Sequence, residues 1–244
     1  MTILLTPFMS CSAKLPTYGT FTLTFFPNHR GLVMISMYLI GIFMGIVCGL
    51  IFNKTLFRGK PVPFVMELPN YRLPSARSVG MLMWNKAKDF ITKAFTVIFL
   101  ASIVIWFLQT FDSRINVVVD SSDSMLASIG RIVTPVFAPL GITDWRMCTS
   151  LIVGFTAKEA VVSSAAVLMG TTTAMLPKML AGVFSPATAF VFLVFTLLYT
   201  PCVAAVSTVK KELGRRWALF VVVFQVGVAW TAALLTRLIL NLFI

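Results

Sequence analysis

Two short segments near opposite ends of the sequence each place a cysteine beside a proline and a hydroxyl side chain. Residues 7–12 read PFMSCS, and residues 200–202 read TPC. Thiolate and thioether sulfur suit soft or borderline metals, Fe²⁺ among them, better than Mg²⁺ or Ca²⁺. The candidate metal ligands are therefore Cys11, Cys202, Met9 and Ser10. A second interpretation stays open, in which each cysteine is a small buried side chain that fills a tight bend.

Prolines predict a break in the chain next to each of these cysteines, at Pro7 and at Pro201. Threonine is a good N-cap and proline is favoured at the first helical position, so Thr200-Pro201 predicts the start of a helix. That helix would end near Leu213, before Gly214, and would be too short to cross a bilayer alone. Two such segments in corresponding places suggest a repeated helical hairpin around a central site, as in transporters built from interrupted helices.

Two charged residues, Lys158 and Glu159, interrupt the otherwise apolar run 147–169. Charge at membrane depth is costly, so it is treated as a functional hypothesis by default. On a continuous helix, Thr156, Glu159 and Ser163 would share one face, with Lys158 turned about 100° away. Glu159 is then a candidate cation ligand, a proton relay or only the partner of a basic residue on another helix. Lys158 marks a candidate break in the helix.

The composition indicates the environment in which these segments lie. Hydrophobic residues make up 58% of the chain and charged residues 11%, whereas about 25% of a soluble protein is charged. The chain has too few charged side chains to cover a water-facing surface, so it is an integral membrane protein. We predict an all-α polytopic helical bundle. The hairpins around Cys11 and Cys202, here called gate segments, would be re-entrant or broken helices, since irregular backbone at membrane depth can line a substrate site.

Five hydrophobic segments approach or exceed the roughly 20 residues that a membrane-spanning helix needs. They are residues 31–52, 94–111, 147–169, 182–200 and 217–235, and the first 27 residues form a weaker sixth.

This pattern divides the chain into four regions. Residues 1–30 form the first gate segment, and residues 31–111 hold two transmembrane helices joined by a basic cytoplasmic loop at 53–93. Residues 112–146 form an external loop with short helices. Residues 147–244 hold the second gate region and the C-terminal transmembrane helices.

Loop charges predict the orientation in the membrane. Residues 53–93 carry eight basic and two acidic residues, and residues 112–146 carry three basic and four acidic residues. The first loop is therefore expected in the cytoplasm and the second outside. If 147–169 and 182–200 both crossed completely, the four basic residues between positions 210 and 216 would lie outside. We therefore expect one of these two segments to be broken or re-entrant.

Several function classes lack the residues that they need. The sequence contains neither a P-loop pattern nor GxGxxG. Its four cysteines form no CxxC pair, which argues against a structural zinc site or a redox dithiol. The net charge of +12 comes from basic residues that flank apolar spans, which favours anionic lipid over nucleic acid as the partner. No histidine or carboxylate pair suits an intramembrane hydrolase, so we do not expect an enzyme.

Glycines at positions 41, 45 and 49 recur every four residues in the first long apolar segment. Such a repeat predicts a close-packing face, and we interpret Cys48 beside it, like Cys148, as a packing residue.

The sequence resembles the C-terminal membrane half of the ferrous iron transport protein B (FeoB) family over nearly its whole length. The matching strings are FMSCSAKLP at 8–16, PFVMELP at 63–69, YRLP at 71–74, DWR at 144–146, GF at 154–155, AKE at 157–159 and TPCVAA at 200–205. The resemblance implies a multi-pass importer of Fe²⁺ in the bacterial inner membrane, with gate motifs at Cys11 and Cys202 along the iron path. The family often has arginine where this chain has Lys14, which keeps the charge but not the planar fork.

The resemblance also implies that the N-terminal GTP-binding domain of the family is absent from this chain. We therefore expect the permeation half of an Fe²⁺ uptake transporter, truncated or split from its GTPase domain. Fe²⁺ would be the transported substrate, no cofactor would be bound by this chain, and GTP would bind only to the missing domain. Expected partners are the lipid bilayer, the missing half, small accessory proteins of the same system and further copies of the chain.

Two alternatives stay open. One is a transporter of nucleosides or other small solutes with a similar gate architecture, whose site would favour amide and aromatic side chains. The other is a membrane subunit or remnant that transports nothing.

Overall fold

The computed structural model describes residues 2–55, 75–93, 96, 99–112, 114–118 and 120–243. Within these ranges the regular secondary structure is helical, and the pairing of Phe111 with Val117 is an isolated β-bridge. The predicted all-α fold class is thus confirmed. Residues 56–74 of the predicted basic loop lie outside the described residues, and so do the strings at 63–69 and 71–74.

Twelve α-helices follow one another along the described part of the chain. They are α1 Thr2–Leu5, α2 Leu15–Phe25, α3 Arg30–Thr55, α4 Ala76–Lys93, α5 Phe99–Thr110, α6 Met125–Phe137, α7 Trp145–Val153, α8 Ala160–Leu168, α9 Leu176–Val183, α10 Pro186–Leu198, α11 Val203–Leu213 and α12 Arg215–Phe243. Short 3₁₀ turns cover Thr6–Phe8, Ser12–Lys14, Ser121–Asp123 and Ala138–Leu140.

Three helical segments in the described ranges are long and apolar enough to cross a membrane. They are α3, the α10–α11 pair as Pro186–Leu213, and α12 as Arg215–Leu242. The predicted spans at 31–52 and 217–235 match α3 and α12. The predicted span at 182–200 begins later, at Pro186, and continues past a break into α11. The expected span at 147–169 is divided into α7 and α8, and α5 is a shorter apolar helix of 12 residues.

Helix α6 lies where the sequence suggested an external loop with short helices. It has 13 residues, and its N-cap is Ser124, whose hydroxyl accepts a hydrogen bond from the Ala127 amide at 3.1 Å. Together with α7, to which it is joined at a bend of 105°, it forms a broken span or a re-entrant loop by length and composition. Short helices were expected in this region, but hydropathy did not indicate that α6 could belong to a span, because Arg131 and Pro135 interrupt its apolar pattern. Whether it lies outside the cell stays a prediction.

Helix α10 forms the centre of the bundle. Every residue from Val191 to Leu198 is buried. In the most apolar stretch of the α10–α11 span 67% of the residues are buried, whereas the corresponding share is 28% in α3 and in α12. Helix α2 packs across it, with Phe21 stacked on Phe192 at 4.8 Å between ring centroids. Protein therefore surrounds α10, while α3 and α12 present apolar sides to the outside of the bundle.

The glycine repeat of α3 packs against the chain just before the first cysteine. A Cβ atom built on Gly41 would lie 2.9 Å from the carbonyl oxygen of Phe8, and one built on Gly45 would lie 3.9 Å from the Phe8 Cβ. Phe8 itself is fully buried. The predicted close-packing face therefore accommodates the turn at Thr6–Phe8.

The basic ends of three helices lie on one side of the molecule. Phe52 near the end of α3, Val209 near the end of α11 and Ala218 near the start of α12 belong to one small hydrophobic cluster. At the far end of α12, the Arg237 guanidinium donates to the carbonyls of the turn between α6 and α7. The basic residues between 210 and 216 thus lie at the same end of the bundle as Lys54. The break between α7 and α8 agrees with the expectation that one of the two segments 147–169 and 182–200 is broken, and the orientation in the membrane stays a prediction.

Candidate functional site

The first gate segment is interrupted around Cys11. Pro7 lies in the turn Thr6–Phe8, and a second 3₁₀ turn, Ser12–Lys14, leads into α2. Between the two turns the backbone is extended, with φ −68° and ψ 142° at Met9 and φ −107° and ψ 162° at Cys11. Both side chains are exposed. The break predicted from the proline is therefore present, and it turns Met9 and Cys11 out of any helix.

The second gate break lies between α10 and α11. Tyr199 and Cys202 have extended backbone, and Cys202 is the N-cap residue of α11. The Val203 amide donates to the Phe155 carbonyl at 3.0 Å. The expected helix start at Thr200-Pro201 is therefore wrong by a few residues, because the chain stays extended through Cys202 and its next amide binds another segment. The predicted end before Gly214 agrees with the structure, where Gly214 has φ 91°.

A third break, at residues 154–159, separates α7 from α8. Gly154 leaves no room for a side chain, since a Cβ atom there would clash with the Tyr199 hydroxyl and with Val161. Thr156 lies within this break, and Glu159 is the N-cap residue of α8. The expected shared face of Thr156, Glu159 and Ser163 is therefore wrong, because no continuous helix joins them.

The three breaks meet at a cavity of about 340 Å³. The candidate residues on its wall are Pro7, Met9, Cys11, Lys158, Glu159, Pro201 and Cys202. Lys14 and Thr156 also line it. Ser10 is not on this wall, and its hydroxyl oxygen is buried without a hydrogen-bond partner. The structure thus brings both cysteines, Met9 and the charged pair to one place. The roles of Cys11, Cys202, Met9, Ser10 and Glu159 as iron ligands stay a prediction.

Two lysine side chains at this cavity bind main-chain oxygens. Lys158 is 4% exposed, and its Nζ lies 3.0 Å from the Tyr199 oxygen and 3.5 Å from the Thr196 oxygen. Lys14 is 2% exposed, and its Nζ donates to the Met9 oxygen at 3.1 Å. These amines bind carbonyls that lie at the two gate breaks. Glu159, in contrast, is exposed at the cavity wall.

Buried hydroxyl groups accumulate around the same breaks. Those that have no hydrogen-bond partner in the described structure belong to Ser10, Thr17, Tyr18, Thr196 and Tyr199. Buried polar atoms are paired with protein, water or ions in most proteins. None of these five residues lines the cavity, so their hydroxyls are candidate contacts for buried water. Sequence reasoning overlooked all of them but Ser10. The available signal was the presence of hydroxyl residues, Thr17 and Thr196 for example, within apolar segments.

The described residues contain no group of three or more His, Cys, Asp or Glu side chains that could hold a metal ion. A divalent cation in the cavity would therefore need hydroxyl, carbonyl or water oxygens in addition to the thiols. Such mixed and incomplete coordination suits passage better than storage, because conduction requires binding that is weak enough to release the ion.

The two remaining cysteines lie in the hydrophobic core. Cys48 on α3 is 1% exposed, and Cys148 on α7 is fully buried. Both belong to the main cluster of buried apolar side chains, and neither lines the cavity at the gate breaks. They are suitable controls for Cys11 and Cys202.

Comparison with known families places two matches along the chain. Residues 34–86 match the family described as ferrous iron transport protein B C terminus. Residues 91–216, slightly more than half of the chain, match the gate family, which is described as nucleoside recognition.

Curated relatives match over almost the whole chain. The Fe(2+) transporter FeoB of Methanocaldococcus jannaschii is 36% identical over 249 residues, covering 99% of this chain and 37% of the relative. The protein of the same name from Staphylococcus aureus is 36% identical over 244 residues, covering 100% of this chain and 37% of the relative. A Porphyromonas gingivalis protein, named an Fe(2+) transport protein A/Fe(2+) transporter FeoB fusion protein, is 35% identical, covering 96% of this chain and 34% of the relative.

The chain thus spans little more than a third of the length of these relatives. No solved structure matches it.

Proposed function

The chain belongs to the ferrous iron transport protein B (FeoB) family, and we propose that it forms the membrane permeation part of an Fe²⁺ uptake transporter. The relatives are named Fe(2+) transporters, and each of them contains a region that aligns with almost the whole of this chain. The three long apolar helices agree with the predicted multi-pass membrane location.

The observation that carries the proposal is the position of two thiols from opposite ends of the sequence on one cavity wall. Fe²⁺ is borderline in softness, so one or two sulfur contacts at a time, supplemented by oxygen, would attract it without holding it tightly. Met9 offers a thioether at the same wall, and Glu159 offers a carboxylate. Ser10 is a candidate contact beside Cys11. Pro7, Pro201 and Lys158 mark the breaks that make this wall.

We place the basic loop at 53–93 in the cytoplasm and residues 112–146 outside. The clustering of Phe52 with Val209 and Ala218 supports this orientation, because it puts the basic residues between 210 and 216 on the side of Lys54. Positive residues are retained on the cytoplasmic side of membranes.

GTP binding and any hydrolysis are assigned to another part of the transporter, and this chain would take no catalytic role. The Porphyromonas gingivalis relative is named as a fusion with Fe(2+) transport protein A. That fusion supports a small accessory protein as a partner of the system.

The test is Fe²⁺ uptake by a full-length transporter that carries this segment, measured with radioactive iron under reducing conditions. Cys11→Ser and Cys202→Ser should each lower the uptake rate, and the double variant should lower it further. Cys48→Ser and Cys148→Ser are the matched controls and should transport normally at equal protein amounts. Full uptake by the Cys11→Ser, Cys202→Ser double variant would refute the proposed path.

The gate family's description favours a second candidate, the transport of a nucleoside. The wall of the cavity at the gate breaks contains no amide or aromatic side chain among the described residues. Nucleoside recognition relies on such groups, so the chemistry of the wall supports a metal ion instead. Uptake of labelled nucleosides by the same full-length protein separates the two candidates.

A further inference from the structure

The carboxy-terminal end of α10 lies inside the protein, where its free carbonyl groups need partners. The last carbonyls of a helix have no partner within the helix, and a buried carbonyl that stays unpaired is costly. Helix α10 ends at Leu198, and Tyr199 is already extended. Lys158 supplies the missing donors, with its Nζ 3.0 Å from the Tyr199 oxygen and 3.5 Å from the Thr196 oxygen.

The environment of the Lys158 amine is built for this contact. The side chain is 4% exposed, and its Nζ also lies 4.2 Å from the centroid of the Tyr199 ring. A buried amine is tolerated only when its donors are paired. Both recorded hydrogen bonds of the amine run to the end of α10, and the neighbouring carboxylate of Glu159 takes neither of them.

The same short segment also holds the beginning of α11. The Phe155 carbonyl, three residues before Lys158, accepts the Val203 amide at 3.0 Å. Residues 154–159 therefore bind the chain at two points, the Tyr199 carbonyl and the Val203 amide. Between these two points lie Thr200, Pro201 and Cys202, and Cys202 lines the cavity.

We propose that Lys158 is a positioning residue: together with the Phe155 carbonyl it clamps both ends of the α10–α11 break and so holds Cys202 at the cavity wall. The first gate segment repeats half of this arrangement, since Lys14 donates to the Met9 oxygen two residues before Cys11. The inference concerns the geometry of a thiol, and it holds whether or not the transported ion is Fe²⁺.

The test is the rate at which a maleimide alkylates Cys202 in the purified full chain. Two single-cysteine backgrounds are used, one with Cys202 and one with Cys11. Lys158→Met removes the donors at similar side-chain length, and Lys158→Arg keeps donors. Lys178→Met, at an exposed lysine of α9, is the matched control.

Lys158→Met should raise the alkylation rate of Cys202 by about tenfold, the factor expected for losing the hydrogen bonds of the amine to the two carbonyls. The rate at Cys11 should change less than that at Cys202, Lys158→Arg should lie between wild type and Lys158→Met, and Lys178→Met should match wild type. If Lys158 only stabilised the fold, its substitution would change the alkylation rates of Cys11 and Cys202 to the same extent. An unchanged Cys202 rate, or an equal rise at Cys11 and Cys202, overturns the proposal.

A second variant tests the other end of the clamp without touching Lys158. Val203→Pro removes the amide that binds the Phe155 carbonyl, and proline is tolerated there because Val203 is the first residue of α11. The extended conformation of Cys202, with φ −60° and ψ 159°, also suits a residue that precedes proline. Val203→Ala keeps the amide and serves as its control.

Val203→Pro should speed alkylation of Cys202 selectively, and Val203→Ala should not. If Lys158→Met does not accumulate in membranes, the comparison of Val203→Pro with Val203→Ala decides whether residues 154–159 hold Cys202 at the cavity wall. Equal rates for Val203→Pro and Val203→Ala would then overturn the clamp.

Discussion

Substitution of Gly41 tests whether the glycine face of α3 exists to accept the first gate segment. A Cβ atom at position 41 would lie 2.9 Å from the Phe8 carbonyl oxygen and 3.6 Å from a methyl group of Leu197. Phe8 is fully buried, so its main chain cannot move away without repacking. Gly45, one turn later on α3, is the matched control, because its Cβ atom would meet only the Phe8 Cβ at 3.9 Å.

The expected magnitude follows from two opposing effects. Replacing glycine by alanine inside a helix stabilises it by about 1 kcal/mol. Overpacking a close contact costs about 1–3 kcal/mol. Gly45→Ala should therefore raise the free energy of unfolding by about 1 kcal/mol. Because the helical gain is common to both variants, Gly41→Ala should be less stable than Gly45→Ala by about 1–3 kcal/mol.

The assay is reversible unfolding of the purified chain in mixed detergent micelles, followed by tryptophan fluorescence. Alkylation of Cys11 provides a second readout, since displacement of Phe8 moves the backbone that leads to it. Equal unfolding free energies for Gly41→Ala and Gly45→Ala would refute the packing argument. So would a more stable Gly41→Ala variant.

Three further predictions concern orientation, a helix turn and the cavity. Cysteines introduced singly as Ser75→Cys and Lys211→Cys should both resist an impermeant reagent added outside intact cells; external labelling of either contradicts the assigned orientation. Arg237→Gln should lower the unfolding free energy by about 1 kcal/mol, because it removes the guanidinium and its hydrogen bonds to two carbonyls. An unchanged free energy of unfolding in detergent micelles would contradict this prediction. Glu159→Gln should insert normally but reduce Fe²⁺ uptake in a full-length transporter, whereas Glu212→Gln, at an exposed carboxylate on α11, should not; normal uptake by the first variant removes Glu159 from the path.

Much of the fold could be predicted because hydropathy is a local property of the chain. Helices α3 and α12 contain the long apolar runs 31–52 and 217–235, and their positions were found from hydropathy along the sequence. The possible place of α6 in a broken span was not predicted because Arg131 lies within the helix, and the start of α11 was misplaced at Thr200-Pro201. At that point local capping preference gave way to a contact with the distant Phe155 carbonyl.

The site could be predicted only in part, for the same physical reason. Residue type and proline spacing identified Cys11, Cys202 and the charged pair Lys158-Glu159. The Lys158 amine binds main-chain carbonyls at the end of α10. Every residue has such a carbonyl, so the sequence does not indicate which of them will be the partner. Only the packing of α10 against residues 154–159 reveals which carbonyls are left free for that amine.

The burial of α10 has a consequence for how the bilayer acts on this protein. Helix α10, which leads into the second gate break, is surrounded by protein atoms rather than by lipid tails. A change in bilayer thickness is absorbed first by long helices that face lipid, through tilt or local deformation of the membrane. Here those helices are α3 and α12, which have less than half the buried share of the central span. We therefore expect α3 and α12 to take up such changes, and the position of the Cys202 thiol to depend little on the lipid composition of the membrane.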